Sequence, residues 1–176
     1  HILKSKIYEI SECIFCNGLF QKYIPDENLS LFLYETLISN EISFQKKKEL
    51  SSKNFIEYFD DARIIEDLVQ KKNYNIKILE FGCGWGFWTK FMKSLNFNVE
   101  TVEISAQRVE YLKKNGIKNY QDLNEINTKY DLIFSNQAIE HVSYPLNILH
   151  LLKEKIFDGG IMFHKFPSAL LFKKKL

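Results

Sequence analysis

Glu80, Gly82, Gly84 and Gly86 fall on alternate positions of the run Ile76-Lys77-Ile78-Leu79-Glu80-Phe81-Gly82-Cys83-Gly84-Trp85-Gly86-Phe87-Trp88. Residues without side chains let the backbone turn sharply and let a ligand come close to it. A carboxylate beside such a turn attracts an ammonium group and repels a phosphate. A pyrophosphate site spaces its glycines G-x-G-x-x-G and aims a helix N-terminus at the phosphates; here Phe87 stands where the third glycine would fall. Glu103 lies about twenty residues beyond Gly82, where an acidic side chain reaches the ribose hydroxyls in such folds. Its carboxylate can accept two hydrogen bonds from a vicinal diol. The pattern points to a nucleoside ligand that carries positive charge and no phosphate. The alternatives are a plain glycine-rich turn and an exposed strand-end glutamate.

These residues need a scaffold, and the hydrophobic pattern supplies one. Ile76 to Phe81 reads as a buried strand, and Trp88, Phe91, Met92 and Leu95 recur as one helical face. Strand, glycine turn and helix open a nucleotide-binding βαβ unit. Asn98 to Ile104 is the expected second strand, and Ser105 caps a helix through Lys114 that Asn115-Gly116 closes. Ile117 to Tyr120 and Tyr130 to Asn136 are the third and fourth strands. Pro145 opens a helix to Phe157, Asp158-Gly159-Gly160 is a turn, and Ile161 to Phe166 is the fifth strand, ended by Pro167. Upstream, Phe55, Phe59, Ala62, Ile65, Leu68 and Val69 mark an amphipathic helix that packs on the sheet. Pro25 to Ile38 reads as another helix, and Glu41 to Lys53 as a polar, lysine-rich linker. The expected class is α/β, a Rossmann-like doubly wound and mostly parallel sheet over residues 51–176, preceded by an N-terminal segment of residues 1–50.

Composition narrows the partners. A chain of 176 residues with net charge +2 gives no argument for nucleic acid or a membrane surface. The runs Lys46-Lys47-Lys48 and Lys173-Lys174-Lys175 read as solvated surface. No apolar run is long enough to span a bilayer, and the start shows no signal-peptide pattern, so a cytoplasmic location is expected. Cys13-Ile14-Phe15-Cys16 supplies two thiolates where a structural zinc needs four ligands; His1 is the other local candidate, and Cys83 belongs to the glycine loop. A pair of ordinary cysteines and a redox pair remain open.

The Glu80–Gly86 stretch resembles motif I of the class I S-adenosyl-L-methionine-dependent methyltransferases. Glu140-His141-Val142, followed by Pro145 at a helix start, is similar to the segment after that family's fourth strand. Asp158-Gly159-Gly160 resembles its P-G-G turn, with Asp158 in place of proline. S-adenosyl-L-methionine has an ammonium, a sulfonium and no phosphate, as the loop chemistry asks. The resemblance implies cofactor binding by Glu80, Gly82, Gly84, Gly86, Glu103, Asp122 and Asn136, with Asp122 at the adenine amino group. It implies methyl transfer to oxygen or carbon of a small-molecule acceptor. His141, at the carboxyl edge of the sheet, is the candidate base for the acceptor's proton; shaping the loop is its alternative role. Some members carry an N-terminal zinc-ribbon-like segment, C-x-x-C…C-x-x-C-G, continued by residues that Pro25, Leu29 and Tyr34 resemble. Cys13 and Cys16 would be half of it, with Asn17 where the family has glycine and Gly18 one place later. The family closes its sheet with two further strands, so a fragment is expected. An NAD-dependent oxidoreductase and a catalytically inactive S-adenosyl-L-methionine-binding module are the rival functions.

Overall fold

The computed structural model describes residues 9–33, 36, 39–48 and 51–168, without the side chains of Glu27 and Leu31. His1, Tyr34, Leu37, Ile38 and the Lys173–Lys175 run, all used in the sequence reading, lie outside the described residues.

Five parallel strands form the main sheet: β3 (Lys77–Phe81), β4 (Asn98–Val102), β5 (Asn119–Tyr120), β6 (Tyr130–Asn136) and β7 (Ile156–Lys165), in the order β5-β4-β3-β6-β7. The first of these strands sits in the middle, and the chain winds outward from it in both directions. That order places a crevice at the carboxyl ends of β3 and β6, where ligands bind in such sheets. Before the sheet, β1 (Ile10–Glu12) and β2 (Leu19–Gln21) make an antiparallel hairpin.

Both faces of the sheet are covered, and successive residues of one strand serve opposite faces. Ile78 of β3 and Leu132 and Phe134 of β6 pack with Ala62 and Ile65 of α3 (Ser52–Val69) and with Trp88 and Met92 of α4 (Phe87–Ser94). Leu79 and Ile133 face the other way, toward Leu123, Ile126, Ile139 and Leu152. Trp88 stacks flat on Phe134, centroids 4.1 Å apart. Each fully buried aliphatic side chain contributes about 1.5–3 kcal/mol relative to an exposed one. Phe55 and Phe59, on the expected α3 stripe, are exposed, and both rest edge-on against Phe91.

Several boundaries differ from the sequence reading. The expected linker from Glu41 to Lys53 contains a helix, α2 (Asn40–Lys48). Its first turn carries Glu41 and its last turn Lys46, Lys47 and Lys48, which suits both ends of the helix dipole; Glu41 also accepts a hydrogen bond from Gln45 Nε2 one turn on. The helix upstream, α1, spans Glu27–Phe32, with Asp26 accepting from the Leu29 amide at 2.8 Å. Asp158-Gly159-Gly160 does not separate a helix from a strand. α6 (Pro145–Glu154) ends earlier than Phe157, and β7 runs through the glycines. The pairing jumps from Tyr130↔Ile156 to Leu132↔Ile161, and Gly159 absorbs the bulge at φ +80°. The remaining helix, α5 (Ala106–Lys114), begins at Ser105 without a side-chain capping bond.

Candidate functional site

β3 ends in Glu80-Phe81 and β4 is followed at once by Glu103, so two neighbouring parallel strands deliver two carboxylates to the same edge of the sheet. Both glutamates are buried. Between them runs the glycine loop, tied down by Gly82 and Cys83 amides donating to the Val102 carbonyl at 2.9 and 3.3 Å. Glu103 Oε2 accepts from the Gly84 amide at 2.9 Å, and Oε1 accepts from the amides of Ile104 and Ser105 at 3.0 and 2.9 Å. Arg108 of α5 stands 3.7 Å from the same carboxylate and lies over the Trp85 ring.

Glu80 accepts a hydrogen bond from the Thr89 hydroxyl of α4. Burial pushes its carboxyl up to about 8, against the opposing pull of that hydroxyl and of the Lys47 ammonium. Such a group is easily protonated when alone and ready to ionise when a cation arrives. Burial and the nearby charges of Glu80 and Asp61 push Tyr58 of α3 up to about 12.

The three glycines serve different ends. All have positive φ: 72° at Gly82, 60° at Gly84 and 68° at Gly86. A Cβ on Gly82 would sit 2.5 Å from the Ala138 Cβ, and one on Gly86 would sit 2.5 Å from Leu112 Cδ2. Those two positions let neighbouring segments approach. A Cβ on Gly84 would meet only the Lys47 Nζ, 4.0 Å away. The space over Gly84 is therefore bounded by an ammonium group, with Glu80 and Glu103 within electrostatic reach of it. Two buried carboxyl groups and a side-chain-free backbone position thus share one edge of the sheet.

The other expected residues lie farther along the edge. Asn136 is exposed at the end of β6, with its backbone in register with Lys165. Asp122 is exposed after β5, accepting from the Asn124 amide and side chain, both at 2.9 Å. His141 is exposed in a short 3-10 turn, Ile139–His141, just past β6. The N-terminal segment reaches this region, since Ser143 Oγ donates to the Pro25 carbonyl at 2.8 Å.

Cys13 and Cys16 occupy the turn of the β1–β2 hairpin. The Cys13 amide donates to the Gly18 carbonyl at 2.8 Å, and Asn17 takes φ +55°, a conformation glycine adopts without strain. The amides of Cys16 and Phe15 hold the Cys13 thiol below its ordinary range. Among the described residues no third ligand joins the pair.

Sequence reasoning did not single out Lys47, Thr89, Arg108 or Asp61. Asp61, buried on α3, accepts from Trp88 Nε1 at 3.1 Å and from Lys165 Nζ at 2.9 and 3.1 Å. Its position in the α3 stripe, one residue before Ala62, was the available signal. No helix among the described residues is long and apolar enough to cross a membrane.

Comparison with known proteins bears on the family and the fold. A family model described as a methyltransferase domain matches residues 54–175. The mitochondrial ubiquinone biosynthesis O-methyltransferase of Schizosaccharomyces pombe is 30% identical over 96 residues, covering 48% of this chain and 35% of that protein. Malonyl-[acyl-carrier protein] O-methyltransferase 1 of Ilyobacter polytropus is 32% identical over 118 residues, covering 58% of this chain and 42% of that protein. The chain thus spans less than half the length of these curated relatives. Among solved structures, the plantazolicin methyltransferase BpumL in complex with a monoazolic desmethylPZN analog and SAH aligns with a TM-score of 0.59 at 17% identity, over 73% of this chain and 53% of that one. That likeness is one of fold.

Proposed function

Because the chain belongs to the methyltransferase-domain family, matched over residues 54–175, we propose that it binds S-adenosyl-L-methionine over the glycine loop and transfers the methyl group to oxygen or carbon of a small-molecule acceptor. The observation that carries this reading is the delivery of Glu80 and Glu103 to one edge of the sheet, at the ends of adjacent strands, with the Gly84 amide bonded to Glu103. Glu80 would face the ammonium of the cofactor. Glu103 keeps its bond to Gly84 while offering a further lone pair of Oε2 to a ribose hydroxyl. Asp122 and Asn136 are assigned to the adenine side and to the strand-four side of the crevice. The cofactor supplies a methyl group already activated by its sulfonium, so the protein's main task is to hold donor and acceptor in line. His141 is assigned the removal of the acceptor's proton; its exposure beyond β6 leaves it open to a substrate.

The small-molecule acceptor is supported by the names of the relatives, a ubiquinone biosynthesis O-methyltransferase and a malonyl-[acyl-carrier protein] O-methyltransferase. In a structural zinc site, Cys13 and Cys16 would supply two thiolate ligands. An NAD reading is weakened by Phe87, which stands where a pyrophosphate loop has its third glycine.

Calorimetric titration of the chain tests the cofactor, with saturable heat expected from S-adenosyl-L-methionine and none from NAD. Mass spectrometry of a set of phenols and other hydroxyl compounds then tests transfer, with a gain of one methyl expected. No heat from folded protein would sink the reading, and binding without transfer to any acceptor would make the chain a binding module.

A further inference from the structure

The run Lys46-Lys47-Lys48 reads as solvated surface in the sequence, yet the Lys47 ammonium is turned into the site. It stands 4.0 Å from the Cβ position of Gly84, and the charges acting on it are those of Glu80, Glu103, Cys83 and Arg108. Lys47 as a whole residue is exposed, so only its charged end is drawn inward. Loss of water around that end, followed by the Arg108 charge, depresses its affinity for the proton, while the two glutamates oppose this.

The helix that brings Lys47 here meets the glycine loop through Phe44 and Ser43. Phe44 sits in an aromatic box, 5.0 Å from Trp85, 5.2 Å from Tyr111 and 5.8 Å from Phe87 between ring centroids. Ser43 Oγ accepts from Trp85 Nε1 at 3.3 Å. Trp85 and Gly84 are buried beneath this helix. The charges also balance: with Glu80 ionised, two carboxylates face Lys47 and Arg108. A ligand ammonium placed over Gly84 would meet the Lys47 ammonium in a poorly solvated place, where like charges repel unless one of them withdraws. Lys47 is an exposed residue that reaches the loop on a flexible four-carbon stem, whereas Arg108 is packed on α5 against Glu103 and Trp85.

We propose that Lys47 is a built-in occupant of the seat for the cofactor's ammonium, carried on α2 as a cover over the glycine loop, and that the cofactor binds by displacing it. This rests on the reading of the loop as an S-adenosyl-L-methionine site. Lys47 then sets affinity by competition, because the apparent dissociation constant is the intrinsic one divided by the fraction of molecules with the seat open.

The test compares the parent chain with Lys47→Met, which keeps the stem and removes the charge, and Lys47→Arg, which keeps the charge. Each is titrated calorimetrically with S-adenosyl-L-methionine and with S-adenosyl-L-homocysteine, after circular dichroism has shown it folded. Both ligands carry the ammonium, so Lys47→Met is expected to bind both about threefold to thirtyfold more tightly than the parent, with Lys47→Arg close to the parent. Phe44→Ala, which weakens the anchor of α2, is expected to tighten binding in the same direction and to shift Trp85 fluorescence before ligand is added. Equal binding by parent and Lys47→Met overturns the proposal while leaving the cofactor reading intact. Weaker binding by Lys47→Met also overturns it, since Lys47 would then be holding the ligand. Absence of binding by every folded variant overturns the proposal together with the cofactor reading.

Discussion

Glu103 Oε2 accepts a hydrogen bond from the Gly84 amide at 2.9 Å, so the acid that ends the β4 segment also fixes the shape of the loop that follows β3. One carboxylate thereby joins the two halves of the proposed ligand cradle. Replacing it with alanine removes a proposed ligand contact and leaves the buried Gly84 amide without its acceptor. Hydrogen bonds to charged groups contribute about 1.5–3 kcal/mol, so Glu103→Ala is expected to weaken S-adenosyl-L-methionine binding roughly tenfold to hundredfold. Calorimetry measures this; an unchanged affinity would remove Glu103 from the site.

Glu80 gives a pH signature. Its carboxyl is pushed up to about 8 by burial, while a bound ammonium favours the ionised form. Cofactor affinity is therefore expected to rise between pH 6 and pH 8, by up to roughly tenfold per unit for a single linked proton, and to level off above. Glu80→Gln should bind weakly and lack that slope. Stability without ligand runs in the opposite direction. A folded-state value above the unfolded one gives stability that is full below the ordinary carboxyl range and lost as pH rises through about 8. Melting temperatures of the parent should fall across that window more than those of Glu80→Gln.

Gly84 and Gly86 should separate binding from folding. Gly86→Ala forces a side chain to φ +68° and drives it against Leu112. Strain of about 1–2 kcal/mol adds to overpacking of about 1–3 kcal/mol, and the melting temperature should drop markedly. Gly84→Ala, at φ +60° with open space around the added carbon, should carry about the strain cost alone, yet lose most cofactor affinity. Equal melting temperatures for the two variants would contradict this division.

In the proposed reading His141 works on the acceptor rather than on the cofactor. His141→Asn is expected to lower kcat by roughly a hundredfold or more, the usual contribution of a positioned general base, with cofactor affinity unchanged. Steady-state kinetics with a competent acceptor decide this, and an unaltered kcat would return His141 to a loop-shaping role.

Much of this arrangement is legible in the chain itself, for identifiable reasons. β6 is bounded as read, from Tyr130 to Asn136, because an apolar run buried on both faces has little else to become. The helical stripe through Trp88 and Met92 is equally plain, since both side chains reach the core. α2 is hidden because its surface is almost all charged and polar. Its attachment depends chiefly on Phe44, whose partners Trp85, Phe87 and Tyr111 lie far off in sequence. The role of Lys47 is hidden for the same reason, since three adjacent lysines look alike until the fold turns one of them inward. Asp61 looks like a solvent-facing residue until Lys165, distant in the chain, arrives to meet it. The bulge at Gly159 is read as a turn because glycine serves both, and only the register against β6 tells them apart.

β7 has a consequence for handling the protein. It pairs with β6 along one side, and among the described residues no strand flanks the other. Ten residues of backbone amides and carbonyls, including the apolar stretch Ile161-Met162-Phe163, run along that margin. A margin of this kind adheres to its own likeness, with exposed Asp158 as a charged guard near its start. Concentrated solutions of the isolated chain should therefore clump through this strand first, and moderate salt, by screening that charge, should hasten it.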